Sequence, residues 1–150
     1  MRLFWIGLAI ALGALTGLGA FTFVYAEGFS YFSTEAESCN NCHVMNEHYD
    51  GWRKSSHHQA AVCVDCHMPE GLGAKLVAKA DNGYRHSKAF TFMDFHDPIM
   101  ITPRNSEIVQ ANCVRCHSAL VHNLVGVTQG NDAGVRCVQC HSHVGHGLRK

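Results

Sequence analysis

Four copies of the pentapeptide Cys-x-x-Cys-His constrain this chain more than any other feature of its sequence. They contain all eight cysteines of the 150 residues, so none remains for a disulfide or a reactive thiol. The spacing is typical of c-type haem attachment, in which both thiols bind the porphyrin and the histidine binds the iron. The four units are Cys39/Cys42/His43, Cys63/Cys66/His67, Cys113/Cys116/His117 and Cys137/Cys140/His141.

Zinc is the main alternative, because paired Cys-x-x-Cys units also form structural zinc sites. Such sites do not require a histidine directly after each second cysteine. At roughly 1/20 per position, four histidines in four units have a chance probability on the order of one in 10⁵. The strand–helix setting of a thioredoxin-like redox pair is also missing from the sequence. We therefore predict four covalently bound haem c groups.

Residues 4–25 contain no charged side chain. As a helix this segment is about 33 Å long, enough to cross a bilayer core of ~30 Å. Arg2 precedes it and acidic residues follow, so the positive-inside rule places the rest of the chain outside. A cleaved signal peptide ending at Ala26 is the alternative, but its apolar region would span only ~7–15 residues. We predict an inner-membrane anchor over 1–26 and a periplasmic haem domain over 27–150.

Charge and small residues bear on the partners of the chain. Its 12 basic and 12 acidic residues cancel, so it lacks the electrostatic footprint of a nucleic-acid-binding protein. Within the apolar segment, Ala9, Gly13 and Gly17 recur every fourth residue, a stripe that lets another membrane helix approach closely. This stripe predicts a homodimer through the membrane helix, although glycines are common in such helices for other reasons.

The outer domain is too short to enclose four haems in an aliphatic core, since it has roughly one haem per 31 residues. Porphyrins should therefore supply most of its buried apolar surface. We expect a mainly α fold of short helices and loops packed around the haems, with little or no sheet. Cys39 to Cys63 and Cys113 to Cys137 both span 24 residues, which suggests two di-haem halves separated by the insert 68–112.

Eight histidines lie outside the four motifs, an excess that indicates distal iron ligands. We predict this role for His57 and His146, each on the haem next to the one attached beside it. His96 is a further candidate, because the following Asp97-Pro98 cannot continue a helix and a turn would project its ring. Less favoured are His58, His122 and His143, and least of all His48.

Met45 follows His43 by only two residues, a span of roughly 7 Å at most. That is too short to pass around the porphyrin to its other face. Met45 therefore either competes with His43 for the same face of the first haem or packs against the porphyrin edge. The residues alone leave both interpretations open.

Taken together, the N-terminal anchor, the four motifs and the first site, C-N-N-C-H-V-M, resemble the NapC/NirT family of membrane tetrahaem cytochrome c quinol dehydrogenases. Within the family, the variant with methionine after the motif is similar to the small subunits that serve cytochrome c nitrite reductase. The resemblance covers nearly the whole chain and is carried by residues 55–67, 75–90, 112–124 and 137–146.

This resemblance implies roles for particular residues. Met45 would replace His43 as the proximal ligand of the first haem, whose distal side would be open or loosely occupied. Lys79 would lie at the quinol pocket. His86 would face the open side of the first haem, where some relatives carry an aspartate and where a histidine could act as a sixth ligand.

The segment 74–86 also reads as a helix with two faces. Its polar stripe either is a solvated face or meets a quinol head group near the membrane surface. Quinol oxidation releases two electrons and two protons, so a proton acceptor must stand near the hydroxyls. Lys79 and Lys75 suit this chemistry, and Asp81 is an additional candidate base. The polar stripe is Lys75, Lys79, Asn82 and His86, and the apolar stripe is Leu72, Leu76 and Ala80.

The sequence therefore predicts a membrane-bound menaquinol dehydrogenase. It would oxidise quinol at the first haem and pass electrons through four haems to a periplasmic reductase. By resemblance, this partner is the pentahaem ammonia-forming cytochrome c nitrite reductase, in a stable complex. A membrane-tethered electron relay without a quinol site, or a NapC-type donor to another periplasmic reductase, is the alternative. A terminal nitrite reductase is disfavoured, because all four motifs end in histidine where such enzymes place a lysine in one.

Overall fold

The computed structural model describes residues 1–122 and 135–147. Of the four stretches that carry the family resemblance, 112–124 extends two residues beyond the described part. The chain divides into two compact units, Met1–Ser33 and Thr34–Lys150. Helices and turns make up the described residues, and no strand occurs among them, which confirms the mainly α prediction. The helices are α1 (Arg2–Tyr25), α2 (Asn46–Arg53), α3 (Cys63–His67), α4 (Leu72–Phe92), α5 (Pro103–Cys116), α6 (Ser118–Val121) and α7 (Cys137–Cys140), with 3₁₀ turns at Gly28–Phe32, Glu37–Asn40 and His43–Met45.

The first unit consists of α1 and the turn that follows it. At 24 residues α1 is about 36 Å long, and it is long and apolar enough to cross a membrane, with none of its side chains buried. Exposed aromatic residues lie at both ends, Trp5 near the start and Tyr25 at the last position, as in interfacial belts. Beyond α1, Gly28 lies against the Phe23 ring, where a side chain would overlap that ring.

The second unit has a very small side-chain core. Among the described residues of the whole chain, the buried apolar side chains are only Ala36, Val64, Ala78 and Val114. No large side chain of those residues is fully buried, while many leucines and phenylalanines are exposed. Side chains alone therefore enclose little apolar volume. This agrees with the expectation that porphyrins supply most of the buried apolar surface.

Helix α4 runs without a break through Gly83 and is longer than the predicted segment 74–86. Its polar stripe, for which the sequence left both a solvated face and a quinol-facing one open, is partly buried. Ala78 and Asn82 are buried and the two lysines are half-buried, whereas Leu72 and Leu76 of the apolar stripe are exposed. The polar stripe is partly buried because α4 meets α5 through polar groups. The side-chain amide of Asn105 donates to Asn82 Oδ1 at 2.9 Å.

Helix α5 is the polar centre of the second unit. It begins at a conventional N-terminus, where Thr102 Oγ1 accepts from the Asn105 amide N–H at 3.3 Å and Pro103 takes the first helical position. Two of its side chains, Gln110 and Asn112, are buried although they are polar. Buried amides are retained where they are hydrogen-bonded, so α5 connects to its neighbours by specific bonds.

Candidate haem-binding site

The four motifs lie on separate turns, here numbered motif 1 (39–43), motif 2 (63–67), motif 3 (113–117) and motif 4 (137–141). Motif 2 forms α3, motif 3 the last turn of α5, and motif 4 includes α7. In one helical turn two cysteines three residues apart share a face, as attachment to one porphyrin edge requires. All eight thiols are free, and no three His, Cys, Asp or Glu side chains of residues 1–122 and 135–147 form a metal-binding cluster. This donor set fits haem c better than a shared zinc site.

Neighbouring motifs touch through their cysteines. Cys63 donates a hydrogen bond to Cys39, which lowers the pKa of Cys39 to about 7 and raises the pKa of Cys63. The thiols of Cys113 and Cys137 make the same kind of contact, and burial with the charge of Cys137 raises the pKa of Cys113 to about 11. In each half of the chain, the first cysteines of the two motifs, which are 24 residues apart in the sequence, thus lie together.

Motif 2 and motif 3 join the two halves, since the Asn112 amide donates to the Cys66 carbonyl at 2.9 Å. Burial raises the pKa of the Cys66 thiol, and so do the charge of Asp65 and, less strongly, that of Cys116. Motif 2 therefore adjoins motif 3, as motif 1 adjoins motif 2 and motif 3 adjoins motif 4. Each motif thus adjoins the next motif of the sequence.

Two histidine pairs have the separation of axial ligands. The ring centres of His57 and His117 are 6.0 Å apart, and those of His67 and His146 are 5.9 Å apart. A metal–imidazole bond of about 2.0–2.1 Å would put a ring centre about 3 Å from the metal, so either pair could hold one metal ion between its two rings. Each pair joins a motif histidine to one of the two predicted distal ligands.

The hydrogen bond of His57 supports a ligand role for this side chain. Its Nδ1 lies 3.1 Å from the carbonyl oxygen of Val144, 87 residues away in the sequence. With Nδ1–H donating to that carbonyl, the lone pair of Nε2 remains for a metal. Ligating histidines usually have such a carbonyl or carboxylate partner, which fixes the tautomer and the ring orientation.

A third ring contacts the second pair. His48 on α2 packs edge-on against His146, with ring centres 5.1 Å apart. Burial lowers the pKa of His67, and the charge of His48 lowers it further. His48, the least favoured ligand from the sequence, is therefore placed beside this histidine pair rather than in it.

Motif 1 is built differently from the other three. It lies in 3₁₀ turns, where the Met45 amide donates to the Cys42 carbonyl at 2.9 Å. Met45 is half-buried, whereas His43 of the motif is exposed. Asn40 Oδ1 is buried without a hydrogen-bond partner among the described residues. The thioether, and not the motif imidazole, is the more enclosed of the two candidate ligands.

The predicted quinol-site residues on α4 divide into the polar stripe, with Lys75, Lys79 and His86, and Asp81, which forms ion pairs. The positive charge of Lys79 contributes to lowering the pKa of Cys39, so this lysine stands near motif 1. Lys75 is half-buried one turn earlier, and burial lowers the pKa of His86, although its side chain reaches the surface. Asp81 instead accepts from Arg85 and Arg104, each at 3.1 Å.

The remaining histidine candidates are placed away from these pairs. His96 is exposed in the loop after α4, close enough to Asp94 to lower the pKa of that carboxyl, after the larger effects of the Lys88 hydrogen bond and charge. His58 packs against Trp52 with ring centres 4.5 Å apart. His122 Nδ1 lies 3.1 Å from the Ala119 carbonyl of its own turn. The motif 4 histidine, His141, is exposed.

Sequence reasoning missed the buried amides that fix the motifs. Asn112 Nδ2 donates to the carbonyls of Cys66 and Met68, both at 2.9 Å, and so holds the peptides on both sides of His67. Gln110 Oε1 accepts from the Cys137 amide at 3.0 Å at the start of α7. In the sequence, Gln110 and Asn112 are marked only as polar residues in the turn before motif 3. An exposed helix has the same pattern, so their burial could not be predicted.

Comparison with known proteins gives one family and one fold. The chain matches the N-terminal region of the NapC/NirT cytochrome c family over residues 2–107. It is 39% identical over 111 residues to the cytochrome c-type protein NrfH of Wolinella succinogenes, covering 72% of this chain and 63% of that protein. It is 37% identical over 106 residues to the cytochrome c nitrite reductase subunit NrfH of Nitratidesulfovibrio vulgaris, covering 71% of this chain and 65% of that protein. The matches thus span less than two thirds of either relative's own length.

A solved structure shares the fold over most of the chain. It is a chain of the cytochrome c nitrite reductase NrfHA complex bound to the HQNO inhibitor. The TM-score is 0.67 at 30% identity, and the match covers 92% of this chain and 90% of that chain. Both units of the chain therefore have counterparts in a protein of known structure.

Proposed function

The chain belongs to the NapC/NirT cytochrome c family, and on that premise we propose that it is a membrane-anchored menaquinol dehydrogenase with four haem c groups. Haems 1 to 4 would be attached to motifs 1 to 4. Each haem, when bound, takes up and passes on one electron. α1 would anchor the chain in the inner membrane with the haem domain in the periplasm. A homodimer through the small-residue stripe of α1 stays a prediction.

The observation that carries this proposal is the position of Lys79. After the larger effect of the Cys63 hydrogen bond, the charge of Lys79 also lowers the pKa of Cys39, the first attachment cysteine of haem 1, so a quinol hydrogen-bonded to the Lys79 nitrogen would lie next to that haem. Lys75 is half-buried one turn away on the same stripe. The quinol loses two electrons and two protons. The electrons would leave singly through haem 1, and each proton would pass to Lys79 in its neutral amine form and then to water.

The contacts between motifs support an electron path in chain order. Cys39 with Cys63, Cys66 with Cys116, and Cys113 with Cys137 connect successive attachment sites from haem 1 to haem 4. We assign His67 and His146 to haem 2, and His117 and His57 to haem 3, on the basis of their ring separations. His141 would bind haem 4, for which His96 remains a candidate distal ligand.

At haem 1 we assign Met45 as the proximal ligand, because the resemblance of motif 1 to the NapC/NirT family implies this role and Met45 is half-buried. A thioether favours ferrous iron and raises the reduction potential relative to an imidazole. His86 is the candidate on the distal side. Asp81 is the weaker candidate base, since two arginines already hold its carboxylate.

The proposed electron acceptor is a periplasmic cytochrome c nitrite reductase in a stable complex. The support is similarity to proteins named as NrfH and to a chain of an NrfHA complex. A NapC-type donor to a different periplasmic reductase, or a tethered relay, is the alternative. Copurification with the reductase, and electron delivery to it, would distinguish the first partner from the others.

The quinol reaction is tested by mixing the detergent-solubilised protein anaerobically with a reduced menaquinol analogue and following the haem α-band. Lys79→Leu should slow haem reduction by about 10²-fold, within the range for a lost proton-transfer group, while reduction by dithionite stays unchanged. HQNO, the inhibitor in the related complex, should also slow the reaction. The control is Lys88→Leu, which removes an exposed lysine of the same helix and should have no effect.

The opposite outcome is equally clear. If quinol leaves the haems oxidised while dithionite reduces them, the chain has no quinol site. It would then be a tethered electron relay. If quinol reduces the haems equally fast in Lys79→Leu and Lys88→Leu, the reaction occurs away from Lys79.

A further inference from the structure

Gly51 lies inside α2 at the point where this helix meets the backbone of His146. A Cβ atom at residue 51 would overlap the carbonyl oxygen of His146 and lie 2.7 Å from its carbonyl carbon. Real Cβ atoms do not approach backbone so closely. Glycine is also the poorest helix former after proline, so its place within an eight-residue helix needs another reason. The close approach of a second backbone supplies that reason.

The same face of α2 also contacts the ring of His146. His48, three residues before Gly51, packs edge-on against that ring with centres 5.1 Å apart. The His146 ring also lies near the ring of His67, with centres 5.9 Å apart and planes 15° from parallel. α2 therefore meets His146 at both its backbone and its side chain.

Helix α2 is held by bonds on either side of Gly51 and cannot easily move away. The Tyr49 hydroxyl donates to Glu37 Oε1 at 3.0 Å. The Trp52 indole N–H donates to the Ala61 carbonyl at 2.9 Å. A side chain at residue 51 would therefore displace the 144–146 segment rather than the helix.

Displacing that segment would reach a second haem. The Val144 carbonyl, two residues before His146, accepts the hydrogen bond of His57 Nδ1 at 3.1 Å. The same short stretch thus carries the distal ligand assigned to haem 2 and orients the distal ligand assigned to haem 3. Outer partners of a ligating histidine fix its ring orientation.

We propose that Gly51 and His48 are positioning residues on α2 that hold His146 in place. They would thereby fix the distal ligand of haem 2 and, through Val144, orient the distal ligand of haem 3. The proposal rests on the proposed function in taking His146 and His57 as the distal ligands. It requires no role for the quinol site. It concerns only how the chain holds its ligands on the irons.

The test compares Gly51→Ala with Gly145→Ala in the full-length, haem-loaded protein. A Cβ at residue 145 would have no atom within 4 Å, so the control makes the same substitution beside His146 without a clash. Gly51→Ala should convert one haem in four from low-spin to high-spin, seen by absorption and electron paramagnetic resonance. A smaller shift in the low-spin signal of a second haem should accompany it. Gly145→Ala should match the wild type.

Added imidazole provides a readout that a general structural defect would not produce. It should bind the high-spin haem of Gly51→Ala and restore the low-spin spectrum. Its apparent affinity should exceed that for the wild type by at least about tenfold, since His146 occupies the iron in the wild type. A wild-type spectrum and wild-type imidazole affinity in Gly51→Ala would overturn the proposal.

Two further variants keep the result interpretable. If Gly51→Ala does not accumulate, His48→Ala decides, because it removes the ring contact without adding an atom. It should raise the imidazole affinity, and an unchanged affinity would overturn the proposal. His146→Ala tests the ligand assignment itself. If His146→Ala leaves all haems low-spin, the assignment of His146 fails; if it yields a high-spin haem while Gly51→Ala does not, only the positioning role fails.

Discussion

Motif 1 and the group of motifs 2 to 4 are held in different ways. Motifs 2, 3 and 4 lie on α-helical turns, and buried amides of α5 bond to the backbone of motifs 2 and 4. Motif 1 lies in 3₁₀ turns and contains a buried Asn40 oxygen without a partner among the described residues. The difference fits the roles proposed for the motifs. A path for electrons needs fixed distances, whereas a site that admits a substrate needs a less rigid surrounding.

The largest expected effect contrasts the motif histidines of the two regions. Replacing His117 by glutamine should remove the proximal ligand of haem 3 and yield a high-spin haem, because no methionine follows motif 3 at the position of Met45. His43→Gln should leave the spectrum of haem 1 unchanged if Met45 is its ligand. Spin state by electron paramagnetic resonance measures both.

The same experiment extends to Met45 itself. Met45→His should lower the potential of haem 1 by roughly 100 mV, a fraction of the ~0.8 V range that axial ligands span. Met100→Leu, at an exposed loop position, serves as the control for replacing a methionine. A change of haem 1 in His43→Gln but not in Met45→His would reverse the assignment and make motif 1 resemble the other motifs.

A smaller effect contrasts two asparagines. Asn112→Leu leaves the carbonyls of Cys66 and Met68 without their donor and should lower the free energy of unfolding by about 2–4 kcal/mol. Asn40→Leu should cost clearly less, because the Asn40 oxygen already has no partner among the described residues. Guanidinium unfolding followed at the haem band compares the two midpoints. Equal losses would show that both regions depend on their amides to the same degree.

The smallest expected effect concerns the proton acceptor. Asp81→Asn keeps an oxygen that can accept from Arg85 and Arg104 but removes the negative charge. The rate of haem reduction by quinol should change less than about twofold, because partly exposed ion pairs contribute little. A loss as large as that expected for Lys79→Leu would make Asp81 the base and Lys79 a binding group.

Much of this arrangement was predictable from the sequence because it is encoded locally. The apolar segment, the four motifs and the helix around Lys79 all follow from patterns within about 20 residues, and the structure has α1 and α4 at those positions. The excess of histidines singled out His57 and His146 as candidate ligands, and each ring lies about 6 Å from the ring of a motif histidine; their ligand role stays a prediction.

Other features depend on pairs far apart in the chain and could not be predicted. Nothing near Gly51 indicates that residue 146 will approach it, and Asn112 bonds to carbonyls 44 and 46 residues away. The burial of Asn82 was missed for a related reason. The two-faced pattern of α4 assumes that apolar residues face a protein core, whereas the described side chains form almost none.

The paired cysteines also have a consequence for how the protein is made. Cys39 lies next to Cys63, and Cys113 lies next to Cys137. Two adjacent thiols in an oxidising compartment can lose two electrons and two protons to an oxidant and form a disulfide. Such a bond would join one attachment site to the next and block both. We therefore expect haem attachment to need a dithiol reductant that returns such a disulfide to two thiols, each of which can then bond to its own porphyrin.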